Sequence, residues 1–290
     1  MPEIINVSDF DLAATLECGQ AFRWSRCGGN GWFVGVVGRK VWRLRQCGNV
    51  LEAEGHARDV LRYLSLDVSL PKIVASFPVD DEMLHAAVRK HWGLRVLRQE
   101  PWECLASFMG SSTKQIVQIR QIVESLSRCL GKPIDDKHWA FPSVEAIARA
   151  THQKLWDCKL GFRAKNLLAA ARLIDSGHVD LAGLASMEYA KALEELLKLP
   201  GVGEKIANCT LLFACGFNKA FPIDVWIERA LRRIYFDAKP KVTARQLREF
   251  ARAHFGPYAG WAQQYLFFSE RLLGKQRARR RQSLLDVGAK

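Results

Sequence analysis

Acidic residues are scarce in this sequence: 30 Asp and Glu stand against 43 Lys and Arg, a formal net charge of +13. That imbalance points to an anionic partner, nucleic acid first, although charge alone is also compatible with a merely soluble basic protein. Cys-x-x-Cys spacing is missing as well. The eight cysteines, Cys18, Cys27, Cys47, Cys104, Cys129, Cys158, Cys209 and Cys215, are scattered, which reads as reduced thiols in a cytosolic protein. No four-cysteine cluster stands in the carboxy-terminal part, which argues against an iron-sulfur centre. No apolar run is long enough to cross a bilayer, and the start Met1-Pro2-Glu3-Ile4-Ile5-Asn6 lacks the basic and apolar parts of a targeting segment. A soluble intracellular chain with no membrane partner is therefore expected. No internal repeat suggests a solenoid. With 49% hydrophobic and 25% charged residues over 290 positions, the chain is not disordered, and it is long enough for two domains.

Between Phe22 and about Glu52, Trp, Val, Phe and Gly alternate locally, as in Trp32-Phe33-Val34-Gly35-Val36-Val37 and Lys40-Val41-Trp42-Arg43-Leu44. These segments predict short strands joined by glycine turns. From Asp59 the pattern turns helical, through Val60–Leu64 and Asp81–His91. Further helices are expected over Trp102–Phe108, Lys114–Leu130, Ser143–Ala150, Lys165–Ser176, Met187–Leu197, Glu204–Cys215, Val225–Tyr235, Ala244–His254 and Tyr258–Leu273. Strands first and helices afterwards imply an α+β fold. The expected division is an amino-terminal domain over 1–98 with an antiparallel sheet, a helical domain over 99–274, and a mobile basic tail over 275–290. That tail, with Arg277, Arg279, Arg280 and Arg281, is expected to add salt-sensitive affinity for DNA.

The chemistry concentrates at Leu199-Pro200-Gly201-Val202-Gly203-Glu204-Lys205. A glycine-bracketed turn between two helices exposes amide N–H groups on which an anionic backbone can dock. Lys205 follows in the first helical turn, where the helix dipole and an apolar pocket would both disfavour its ammonium form and leave usable amine. Asp224 precedes Val225-Trp226-Ile227-Glu228 and reads, taken alone, as a helix cap; a carboxylate there also faces developing positive charge on a sugar. Gln263 and Phe267 stand four residues apart on one helix face, and Cys209 stands four after Lys205. Individually, Phe267 and Cys209 read as core packing.

Leu199 to Lys205 followed by Phe221-Pro222-Ile223-Asp224-Val225 resembles the helix-hairpin-helix signature of the DNA glycosylase superfamily, in its lysine-bearing branch. Gly19-Gln20-Ala21-Phe22-Arg23-Trp24 and Gly256-Pro257-Tyr258-Ala259-Gly260-Trp261-Ala262-Gln263 narrow the likeness to 8-oxoguanine DNA glycosylases, over nearly the whole chain apart from the tail. The resemblance implies that Lys205 attacks the sugar of the damaged nucleotide and forms a Schiff base, while Asp224 stabilises the transition state. It implies that Gln263 reads the pairing edge of the extruded base, and that Phe267 and Cys209 sandwich its ring. Gly19 would offer its carbonyl to N7, which is an N–H donor in the oxidised base and a lone pair in guanine. Arg163 would donate to the opposite cytosine and Phe162 would wedge into the gap. Gly201 and Gly203 would hold the DNA backbone through a hairpin that spans about residues 188–216.

Three positions depart from the better-known animal members. Thr113 replaces a gap-filling Asn, Gln118 a second cytosine-reading Arg, and Trp226 a His after the catalytic Asp. These departures resemble the bacterial members; the missing arginine at 118 predicts a relaxed preference for cytosine opposite the lesion, and Trp226 in place of the His puts a phosphate contact in question. The expected partner is double-stranded DNA containing 8-oxoguanine, met by a monomer at the nucleoid or in a nucleus, with no metal ligands in the site and no cofactor required by the chemistry. Two rivals stay open at the level of sequence: excision of another damaged purine on the same scaffold, and a non-catalytic module that binds damaged DNA.

Overall fold

The computed structural model describes residues 2–54, 56–237 and 242–288, the side chains of 275 and of 277–288 excepted. Five strands, β1 (Glu3–Asn6), β2 (Trp24–Cys27), β3 (Trp32–Val37), β4 (Lys40–Cys47) and β5 (Val50–Glu54), form one antiparallel sheet in the order β1-β5-β4-β3-β2. The predicted alternation places Phe33, Trp42, Leu44, Leu51 and Ala53 on the buried face. Gly35 is required by close approach: a Cβ there would come within 2.5 Å of the Trp24 indole. That indole donates to the Tyr63 hydroxyl at 2.9 Å, which ties the sheet to the helix that covers it.

Helices α1 (Leu12–Glu17), α2 (Ala57–Tyr63), α3 (Leu70–Val74) and α4 (Glu82–Lys90) accompany the sheet. The helical part continues with α5 (Pro101–Met109), α6 (Ile116–Leu130), α7 (Val144–Ala148), α8 (His152–Leu155) and α9 (Arg163–Asp175). It closes with α10 (Tyr189–Leu197), α11 (Glu204–Phe213), α12 (Val225–Tyr235), α13 (Ala244–His254) and α14 (Ala259–Gly288). The α+β class is as expected. The cysteines of the chain are free thiols. No helix among the described residues is long and apolar enough to cross a membrane.

Two cores divide the molecule. One lies between the sheet and α1–α2, and the larger lies among the helices. The boundary expected at residue 98 does not coincide with the division between these cores, because Leu70, Ile73, Leu84, Val88, Leu94 and Val96 pack in the helical core. Buried Arg95 and Gln20 join the parts. Arg95 donates to the carbonyls of Ser65, Val68 and Asp9, while the Gln20 amide bonds Thr15, Arg95 and Leu97. Every polar atom so buried gains a partner, which keeps the junction from being costly.

The segment from Lys275 is helical backbone as far as Gly288, in direct continuation of α14, where a mobile tail was expected. Charge content suggested the tail, but Lys275 to Val287 contains neither Pro nor Gly, and its Arg, Gln, Ala and Leu residues are good helix formers. The residues after Gly288 lie outside those described.

His91, which ends α4, is buried against Phe268 of α14 with ring centroids 4.6 Å apart. Burial pushes its imidazole down to about 4, with Lys90 adding to the effect and Asp11 opposing it. The neutral ring is thus the folded form: its contribution is present above the ordinary value of 6.5 and is lost as pH falls toward 4. Chemical denaturation across that window should show a loss of up to about 3 kcal/mol that His91→Phe removes.

Candidate active site

The turn Leu199-Pro200-Gly201-Val202-Gly203 connects α10 to α11, as the hairpin motif predicts. Gly201 has φ +80°, and a Cβ on it would stand 2.6 Å from the Asn166 amide, so a bare backbone is needed there. Gly203 is the exposed N-cap of α11, and a Cβ on it would meet nothing within 4 Å. Lys205 is the second residue of α11 and is half-buried. Its Nζ donates to Ser111 Oγ at 3.0 Å and stands 5.0 Å from the centroid of the Phe108 ring. The Ser111 hydroxyl in turn donates to the Phe108 carbonyl at 2.6 Å. The amine is therefore held by one neutral acceptor and one aromatic face on α5 and the turn that follows it.

Asp224 caps α12. Its Oδ1 accepts from the Trp226 and Ile227 amides at 3.0 and 2.9 Å. Burial raises its carboxyl from the ordinary range, against the pull of the Ile227 amide, the Lys205 charge and the Trp226 amide. The cap orients the carboxylate and the Lys205 charge acts on it, so the structural role and the electrostatic one coexist in one side chain. Cys209, one turn after Lys205, is buried, and burial pushes its thiol up to about 12, with Asp224 adding to the shift and Lys205 opposing it. It is a neutral packing group rather than a competing nucleophile.

Gly19 has φ +98° and lies against Phe267 of α14: a Cβ on it would be 3.5 Å from Phe267 Cε1, 2.7 Å from Ile116 Cδ1 and 2.7 Å from Arg271 Nη1. The structure thus brings Gly19 and Phe267 together across most of the chain length. Gln263, one turn before Phe267, is buried, and its Oε1 has no protein partner, which leaves an acceptor to be satisfied by something else. Lys205 also borders a cavity lined by Glu204, Asn208, Phe221, Glu228, Leu247 and Arg248 on another flank of α11; Gly19, Cys209, Gln263 and Phe267 do not line it. Sequence reasoning missed Ser111, Ile116 and Arg271. Arg271 was within reach of the spacing argument, since it follows Phe267 by the same four residues that separate Phe267 from Gln263.

The expected opposite-strand residues gather at the starts of α6 and α9. Phe162 is 65% exposed at the surface. Arg163 is buried, with its guanidinium 4.3 Å from the Phe162 ring centroid. It is turned inward, donating to the carbonyls of Leu160 and Ser112 and to Thr113 Oγ1. Thr113 holds that position at φ +57°, a left-handed conformation that a β-branched residue adopts only under strain. Gln118 is exposed, and its Oε1 accepts from the Gln115 amide at 3.0 Å, capping α6. Trp226 is half-exposed and packs on Gly274, where a Cβ would come within 2.6 Å of its ring.

Comparison with known proteins agrees in both halves. Residues 4–105 match the family described as 8-oxoguanine DNA glycosylase, N-terminal domain, and residues 107–253 match the HhH-GPD superfamily base excision DNA repair protein. The chain is 31% identical to "N-glycosylase/DNA lyase OGG1" of Arabidopsis thaliana, over 91% of this chain and 78% of that protein. It is 28% identical to the "N-glycosylase/DNA lyase" of Saccharomyces cerevisiae, over 92% of this chain and 85% of the yeast protein. Among solved structures, the Clostridium acetobutylicum 8-oxoguanine glycosylase/lyase in complex with dsDNA containing cytosine opposite to 8-oxoG is similar with a TM-score of 0.88 and 32% identity, covering 94% of this chain and 98% of that one.

Proposed function

The chain belongs to the 8-oxoguanine DNA glycosylase family, and from that premise we propose that it excises 8-oxoguanine from duplex DNA with Lys205 as nucleophile and then nicks the strand. The observation that carries the reading is the amine of Lys205, held 3.0 Å from Ser111 Oγ at the start of α11, with its charge acting on the capped carboxylate of Asp224. The Lys205 lone pair forms a bond to the sugar C1′ as the bond to the base breaks, and the bonding pair leaves on the base, which takes up a proton. Asp224 supplies negative charge where positive charge develops on the sugar. Ring opening then gives a protonated imine, and loss of a C2′ proton expels the 3′ phosphate. Phe267 and Cys209 hold the base, Gln263 reads its pairing edge, and the Gly19 carbonyl meets N7–H.

The test is borohydride trapping of the wild-type chain on a duplex with 8-oxoguanine opposite cytosine, beside the same duplex carrying guanine. A covalent adduct on the lesion duplex alone is expected. Base release without an adduct would favour a water-using glycosylase, and binding with neither would favour the non-catalytic module.

Opposite-base reading is proposed to be weak. Gln118 is committed to a helix cap, and three of the five N–H donors of Arg163 are taken by Leu160, Ser112 and Thr113. Turnover on the four opposite bases should lie within about tenfold. Gln118→Arg should raise the preference for cytosine by roughly 5- to 100-fold, the worth of one bidentate contact. A strong cytosine preference in the wild-type chain would overturn this reading.

A further inference from the structure

Arg271 is 8% exposed and stands one turn beyond Phe267 on α14. Its guanidinium forks across two successive backbone carbonyls: Nη1 donates to the Cys18 carbonyl at 3.1 Å and Nη2 to the Glu17 carbonyl at 2.6 Å. These carbonyls end α1, immediately before Gly19. The Cys18 carbonyl belongs to the peptide whose nitrogen is that of Gly19, so the fork sets the plane from which Gly19 enters its left-handed conformation. The other side of Gly19 is fixed by the Gln20 amide on Thr15, Arg95 and Leu97. Between these two clamps, the Gly19 carbonyl accepts no hydrogen bond from a described residue.

A buried guanidinium is a costly way to fill this space, and burial pulls its pKa down from the ordinary range while the nearby charge of Arg120 adds to that pull. Its Nε has no partner, and neither has that of Arg120. The guanidinium carbon lies 5.7 and 5.4 Å from the Phe267 and Phe268 ring centroids, a place that an aliphatic side chain would fill without that cost. What it would not do is hold two carbonyls in one plane, for which a rigid planar fork is suited.

We propose that Arg271 is a positioning residue for lesion discrimination: it locks the Glu17–Gly19 backbone so that the Gly19 carbonyl is presented to N7–H of the oxidised purine. The inference rests on the function proposed above. Oxidised and unoxidised guanine differ at N7 by a donor in place of a lone pair, so a carbonyl rigidly aimed there attracts one and repels the other. A loosened carbonyl can rotate away from guanine and loses the distinction.

The test compares wild type, Arg271→Met and Arg271→Lys on three duplexes carrying 8-oxoguanine, guanine or a preformed abasic site, all below the unfolding temperature of each variant. Arg271→Met should lower the ratio of 8-oxoguanine to guanine excision at least tenfold, with nicking at the abasic site within about twofold of wild type, because that step needs Lys205 and no base. Arg271→Lys keeps the charge and one donor but not the fork. It should fall between the two, and it carries the test if the Met variant does not fold. An unchanged ratio, or parallel losses of excision and abasic-site nicking, would overturn the proposal. Failure of the wild-type chain itself to release 8-oxoguanine would instead sink the function on which it rests.

Discussion

Lys205→Gln is expected to abolish the borohydride-trapped adduct and to lower base release by at least about a thousandfold, since the substitution removes the covalent nucleophile. The substitution tests chemistry with little structural damage. A glutamine amide can still donate to Ser111 Oγ, the partner that Lys205 meets at 3.0 Å, and α11 keeps its Gly203 cap. Asp224→Asn is the companion. Asn caps a helix about as well as Asp, so the bonds to Trp226 and Ile227 should survive, with stability changed by less than about 1 kcal/mol. The lost negative charge should nevertheless slow excision by roughly a hundredfold. Electrophoresis of trapped adducts, with thermal unfolding of the same samples, separates the two effects. Trapping by Lys205→Gln at the wild-type level would assign the nucleophile elsewhere.

Gly19→Ala is the second large effect, and it arises from geometry rather than chemistry. At φ +98° an L side chain is strained, and the added Cβ would meet Ile116 Cδ1 and Arg271 Nη1, each at 2.7 Å. Relief requires the backbone to turn, which carries the Gly19 carbonyl away from its aim, or Ile116 and Arg271 to move, which disturbs the wall beside Phe267. Excision of 8-oxoguanine should fall by about 10- to 100-fold, the worth of one lost hydrogen bond plus displaced packing. Nicking at a preformed abasic site should stay near the wild-type rate. Equal loss of both activities would mean that Gly19 matters for folding and not for reading the base.

Elements with local punctuation were legible. The bounds of α12 and α13 coincide with the sequence reading, because Asp224 and Thr243 are side-chain caps that announce helix starts within one residue. Strand β1 was not expected: Glu3-Ile4-Ile5-Asn6 has no alternation of its own, and only pairing with Val50–Ala53 of β5 makes it a strand. Helix α1 also went unread, a six-residue segment whose Asp11 cap is visible in sequence but whose length is too short for a periodic signal. One helical turn sets Cys209 against Lys205 on α11, and local capping sets Asp224 at the start of α12, whereas the approach of the two helices is a matter of tertiary packing.

Contiguous residues and bulk composition alone carried the succession of a strand-rich region by a helical one, the hairpin, the lysine at its second helix, and a positive charge suited to DNA. What meets at Gly19 came from packing across the fold, where Arg271 reaches a carbonyl 253 residues away. Packing decided, too, that Arg163 faces Leu160, Ser112 and Thr113, that Gln118 caps its own helix, and that residues 70–96 join the helical core. Spacing along a chain specifies which face of an element a side chain occupies, whereas its partner is set by which other element packs there. That choice depends on the whole buried interior and on every polar group within it finding a mate.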